Sequence, residues 1–137
     1  SVFRTGDAFR IEAVYLCGIT STPPSAEIHK TALGAEDSVN WKYFDNALEA
    51  VEALKADGYE VYSVEQAHGS TMLQDFKPIN NKKYAVVMGN EVKGVHQEVI
   101  DASHGCLEIP QFGTKHSKNV SVTAGIIIWL FAKNLIL

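Results

Sequence analysis

The chain has 137 residues, 46% of them hydrophobic and 20% charged, with a formal net charge of −4. That length fits one domain with a real core, and the composition excludes a disordered or collagen-like chain. The negative balance gives no bulk attraction to a polyanion, so any nucleic-acid contact has to come from a local basic patch.

In chain order, Phe3, Ala8 and Phe9 sit among polar residues, and Ala13, Val14, Tyr15, Leu16 and Cys17 form a short apolar run closed by Gly18. This pattern predicts a helix feeding a buried strand. Pro23 and Pro24 break the chain, and a short helix follows over about residues 25–33, since proline suits a first helical turn. Asn46 and Glu49 have capping-box spacing, while Leu48, Val51 and Leu54 recur on one face until Gly58; these features predict the clearest helix of the chain. Strands are expected over residues 59–64, 84–88 and 106–109, with a short helix over 96–102 and a polar loop over 80–83. Strands alternating with helices predict a parallel sheet covered on both faces, an α/β fold.

The most apolar stretch, residues 120–132, falls short of the roughly 20 residues that cross a bilayer. It reads as a helix buried on every side. No targeting peptide is evident at the N-terminus, so a cytoplasmic location is the simplest expectation. Cys17 and Cys106 lie far apart without the spacing of a zinc site or disulfide framework, and both are expected to be reduced. His29, His68, His96, His104 and His116 are scattered, and no metal site is assigned.

In doubly wound proteins ligands gather beyond the carboxyl ends of the strands. Three loops fall there. The first contains Gln66, Ala67, His68, Gly69 and Ser70, and the second runs from Gly89 through Asn90, Glu91, Val92 and Lys93 to Gly94. The third follows Ile109 and Pro110 and carries Gly113, Thr114, Lys115, His116, Ser117, Lys118 and Asn119. Gly89 and Gly94 would let the backbone turn sharply and approach a ligand, although a plain turn explains them equally well. The small residues opening the last helix fit close helix packing, or a helix N-terminus holding a carboxylate or phosphate. Neither a G-x-G-x-x-G after an early strand nor a Walker lysine pattern is present.

Taken together, the stretch from Ser1 to Phe9 with Phe3-Arg4-Thr5, the stretch from Met88 to Val95, and the stretch Ile109-Pro110-Gln111-Phe112-Gly113 followed by Ser117 to Val122 resemble, in order, the three motifs of the SpoU (TrmH-like) family of the SPOUT superfamily. The resemblance spans nearly the whole chain. It implies an α/β sheet whose C-terminal part is threaded into a deep trefoil knot, a feature that periodicity could not suggest. It further implies S-adenosylmethionine as cofactor, methylation of a ribose 2′-hydroxyl in tRNA or rRNA, and a homodimer.

By motif position, Gln66, Gly89, Ile109 and Lys118 correspond to cofactor-contacting sites, and Arg4, Glu91, Ser117 and Asn119 to catalytic ones. A ribose hydroxyl is a poor nucleophile, so transfer needs alignment with the methyl donor and relief of the hydroxyl proton or developing charge. Arg4 corresponds to the group that either binds the adjacent phosphate or helps take the proton; its very high pKa makes phosphate binding easier to defend. Glu91 is expected to tie down its loop through backbone amides. Ser117 and Asn119 fit substrate binding or capping of the last helix. Lys115, His116 and Lys118 supply the local positive charge that the net charge lacks.

The family's first motif ordinarily begins with an asparagine upstream of the matched Ser1, preceded by a strand; either residues precede Ser1 in the native protein or that strand is lacking, and residues 1–137 are expected to form a single SPOUT catalytic domain apparently lacking the family's first strand. Gln111 replaces the usual methionine and Lys118 the usual leucine. A non-catalytic knotted RNA-binding or assembly protein is the alternative, and an unknotted nucleotide-binding α/β protein is a third reading.

Overall fold

A computed structural model of the chain describes residues 13–17, 40–79, 81–89, 94–110 and 120–135. The expected helices near the N-terminus and over 25–33 lie outside these residues.

Two parallel strands come first, β1 (Ala13–Cys17) and β2 (Asn40–Phe44), in register from Ala13 beside Asn40 to Cys17 beside Phe44. β1 matches the expected apolar run. β2 was not anticipated: its sequence, Asn-Trp-Lys-Tyr-Phe, mixes aromatic with polar residues and has no clean period of two.

Helix α1 (Ala47–Ala56) begins where Asn46 accepts hydrogen bonds through Oδ1 from the amides of Leu48 (2.7 Å) and Glu49 (3.4 Å). Two N-terminal amides that lack intrahelical partners are thereby satisfied. The helix stops before Gly58, whose N–H donates to the Lys55 carbonyl. Ala50 and Val51 are buried and the opposite face is exposed, as the apolar spacing predicts.

The main sheet has four parallel strands in the order β4-β6-β3-β5 among the described residues. These are β3 (Tyr59–Val64), β4 (Thr71–Met72), β5 (Lys83–Met88) and β6 (Gly105–Glu108). A 3-10 turn, Leu73–Asp75, follows β4, and the short helix α2 (Gln97–Ala102) joins β5 to β6. The two-residue β4 was not expected either, because it is too short to show a pattern. β5 begins one residue earlier than expected and β6 is shifted one residue toward the N-terminus, within the usual uncertainty of strand ends.

Period-two alternation sorts the side chains of β3 onto two faces. Val61 packs with Val51 and Val99, supported by Ala85, Val87 and Val95, under α1 and α2. Tyr62 and Val64 point the other way, toward Leu107, Leu73 and Ile127 of helix α3 (Val120–Leu135). Val61 and Leu107 are both 0% exposed. Ser63, equally buried, shares a 2.7 Å hydrogen bond with Ser103 Oγ, which donates in turn to the Val99 carbonyl. No hydroxyl is left unpaired there, so a polar pair is tolerated inside the core.

On the α3 side, Tyr62, Phe76, Tyr84 and Phe131 form a ring cluster, with Tyr62 and Phe76 edge-on at 4.9 Å between centroids. Burial and a 2.9 Å hydrogen bond to Glu60 push the Tyr62 phenol up to about 12.

Helix α3 departs from the expectation of burial on every side. Ala124, Ile127 and Ala132 are buried, but Val122, Ile126 and Trp129 are 56%, 38% and 48% exposed. These three share a stripe at i, i+4 and i+7. The sheet covers the face of Ala124, Ile127 and Ala132, and the stripe lies away from it. Residues 111–119, through which a C-terminal knot would be threaded, lie outside the described residues.

Leu107→Ala is expected to cost about 2–5 kcal/mol by emptying the α3-side core. Urea unfolding followed by circular dichroism measures it. A loss well below that range would show that Leu107 does not hold β6 in the sheet.

Candidate functional site

The register of the main sheet brings three strand ends together. Val64 stands beside Met88 of β5 on one side and beside Leu107 of β6 on the other. Adjacent strands lie about 4.8 Å apart, so these three residues form one transverse row about 10 Å wide. Gln66, Gly89 and Ile109 each follow that row by one or two residues. The structure thus gathers three of the expected cofactor-contacting residues at the carboxyl edge of one sheet. Arg4, Glu91, Ser117, Lys118 and Asn119 lie outside the described residues.

The turn after β5 closes on itself. A Cβ built on Gly89 would overlap the carbonyl of Gly94 and the amide nitrogen of Val95, so the chain returns against the Gly89 backbone. Backbone atoms cannot yield as a flexible side chain can, which makes glycine a packing requirement at this position. Gly94 adopts φ of 70°, the left-handed region, and a Cβ there would overlap Oε2 of Glu65. The two glycines marked by the sequence therefore serve a tight return of the chain.

Glu65 was not singled out by sequence reasoning. It directly follows β3, and its Oε2 accepts from the Val95 amide at 3.0 Å while Oε1 accepts from the Gln66 amide at 3.1 Å. Its own N–H donates to the Leu107 carbonyl at 3.2 Å, extending the β3–β6 ladder by one bond. The only available signal was a carboxylate at the end of an apolar strand, too common to point to a role.

Cys106 is a free, half-buried thiol in the row of Ser63. Burial raises its pKa above the ordinary thiol value, and the negative charge of Glu65 adds to the shift. Farther along, Ser70 Oγ donates to Glu108 Oε1 at 2.7 Å and fixes the loop after β3 against the end of β6. Gln66 and His68 are exposed, and Ile109 is half-buried and packs on the cluster of Leu107 and Ile127.

Stretches 64–70, 88–89, 94–96 and 107–110 contain no lysine or arginine but hold two carboxylates, Glu65 and Glu108. Such an edge offers backbone groups, an apolar wall and negative charge. Among the described residues, no group of three or more His, Cys, Asp and Glu residues is placed to hold a metal, and no helix is long and apolar enough to cross a membrane.

The SpoU rRNA Methylase family matches residues 1–129, and the chain belongs to that family. A Borreliella burgdorferi protein described as an uncharacterized tRNA/rRNA methyltransferase is 32% identical over 98% of this chain and 58% of its own length. A tRNA (guanosine(18)-2'-O)-methyltransferase from the same organism is 33% identical over 71% of this chain and 44% of its own. The chain spans about half the length of the curated relatives it matches. Among solved structures, the AdoMet-bound rRNA methyltransferase of Sinorhizobium meliloti superposes with a TM-score of 0.90 at 25% identity, over 99% of this chain and 51% of that one. The A. aeolicus TrmH/SpoU tRNA modifying enzyme superposes at 0.84 with 23% identity, over 97% and 66%, and supports the fold.

Gly89→Ala is expected to force the turn open and free the Val95 amide from Glu65. Hydrogen exchange at Val95 should accelerate at least about tenfold, the consequence of losing roughly 1.4 kcal/mol of local protection. Unchanged exchange would mean that the turn accommodates a methyl group and that the close approach is not required.

Proposed function

We propose that the protein transfers a methyl group from S-adenosylmethionine to a ribose 2′-hydroxyl of tRNA or rRNA, working as a cytoplasmic homodimer whose C-terminal segment forms a trefoil knot. The observation that carries this reading is the convergence of Gln66, Gly89 and Ile109 at one sheet edge, in a chain of the SpoU family. Relatives named as tRNA and rRNA 2'-O-methyltransferases and the AdoMet-bound structural relative support the choice of cofactor and substrate.

The edge fits that cofactor on its own chemistry. Adenosine needs backbone hydrogen-bonding groups and an apolar wall, which the turn at Gly89 and the half-buried Ile109 offer. When bound, S-adenosylmethionine supplies an activated methyl group.

The protein's own residues then orient the acceptor. Arg4 binds the phosphate beside the reacting ribose and aligns the hydroxyl, a role its permanent charge suits better than proton abstraction. Ser117 and Asn119 contact the substrate ribose, Glu91 ties down the turn after Gly89 through backbone amides, and Lys118 contributes backbone contacts to the cofactor. Lys115, His116 and Lys118 offer RNA the positive charge that the chain as a whole lacks.

The purified protein is expected to bind S-adenosylmethionine and to transfer a labelled methyl group to RNA, and mapping 2′-O-methyl sites in cells with and without it identifies the nucleotide. Arg4→Ala should lower transfer about 100-fold or more while cofactor affinity is retained. Full activity of that variant would remove Arg4 from the mechanism. RNA binding without any transfer by the wild type would favour a non-catalytic knotted RNA-binding or assembly protein.

The exposed stripe of Val122, Ile126 and Trp129 on α3 supports the dimer, because a contiguous apolar face is costly in water. Light scattering is expected to give twice the chain mass at micromolar concentration, and Ile126→Glu to shift the protein toward monomer. A wild type that stays monomeric would contradict an active site shared between subunits.

A further inference from the structure

We propose that Glu65 is the positioning residue of the cofactor site, a carboxylate bolt that fixes the returning limb of the Gly89 turn to the ends of β3 and β6. The inference rests on the methyltransferase reading above, and it assigns a part of that site to a residue outside the family motifs matched in the sequence.

Four contacts meet at this one side chain and its backbone. Oε2 accepts from the Val95 amide at 3.0 Å, and Oε1 accepts from the Gln66 amide at 3.1 Å. The Glu65 N–H donates to the Leu107 carbonyl at 3.2 Å. Gly94, at φ of 70°, lies so close to Oε2 that any side chain there would displace the carboxylate. Glu65 therefore links the three strand ends that carry Gln66, Gly89 and Ile109.

The arrangement is specific to a carboxylate. Both partners of the side chain are N–H donors, so two acceptor oxygens are required. Glutamine presents one oxygen and one NH₂ group, and the NH₂ must then face a second donor. Alanine leaves the half-buried Val95 amide without this acceptor, and an amide stripped of its partner opens toward water. The Val95 side chain is meanwhile anchored against the cluster of Val51, Val61 and Val99, so its amide is presented from a rigid base.

Glu65 reaches the cofactor only through the backbone it holds. Its loss should therefore weaken binding more than it slows the chemical step once the site is filled. The wild type, Glu65→Gln and Glu65→Ala are compared by titration calorimetry with S-adenosylmethionine well below their melting temperatures, and by methyl-transfer kinetics. The dissociation constant is expected to rise about tenfold or more for alanine and by a smaller factor for glutamine, with the change falling on KM for the cofactor rather than on kcat. A structural role alone would lower the melting temperature and leave the dissociation constant of the folded protein unchanged. Glu65→Gln, nearly isosteric, keeps the comparison decisive if the alanine variant does not fold. Equal affinities for wild type and glutamine variant would overturn the role of Glu65 while leaving the enzyme reading intact. Absence of binding by the wild type would instead overturn the cofactor reading itself, and this assignment with it.

Discussion

The hydrogen-bonded placement of β3 between β5 and β6, all three parallel, is the constraint from which the rest of the molecule follows. Parallel strands cannot be joined by a tight hairpin, so each connection has to leave the sheet and return, as α2 does between β5 and β6. The same geometry leaves every strand ending on one edge. A row through Val64, Met88 and Leu107 defines that edge, the place where ligands gather in open α/β sheets. Burial of β3 on both faces, by Val61 and Ser63 on one side and Tyr62 and Val64 on the other, holds the row rigid.

Rigidity at the edge depends on close approach more than on bulk. Gly89 lets the chain return against its own backbone, and Gly94 lets it pass the Glu65 carboxylate. A carboxylate at the end of a strand carries a desolvation cost, offset here by two backbone donors. Burial raises the pKa of the Cys106 thiol, and that negative charge adds to the rise. Under the proposed function, the overall charge of −4 places the burden of RNA attraction on Arg4 and on the lysines before the last helix.

Much of this was legible in the sequence because local rules and global packing agree. The cap at Asn46, the stripe of Leu48, Val51 and Leu54 and the stop at Gly58 predict α1 nearly residue by residue. The runs of β1 and β5 are evident because they are nearly all apolar, and β3 is evident from Tyr59, Val61, Tyr62 and Val64 directly after the stop at Gly58. β2 and β4 were missed for the opposite reason: one has mixed polarity and the other only two residues, so neither carries a period. The last helix is apolar all round, and composition cannot tell which of its faces the same chain covers. At the site, glycines stood out by type. Glu65 did not, since its role comes from the meeting of segments that are 30 and 42 residues away in the chain, at Val95 and Leu107.

The central claim is that the ends of β3, β5 and β6 form one cofactor site. Backbone amide NMR during titration with S-adenosylmethionine tests it directly. The signals of Gln66, Gly89, Val95 and Ile109 are expected to shift together with a single affinity, while those of Gly58 and Lys83 at the opposite edge stay in place. No perturbation, or perturbation confined to that opposite edge, would contradict the account.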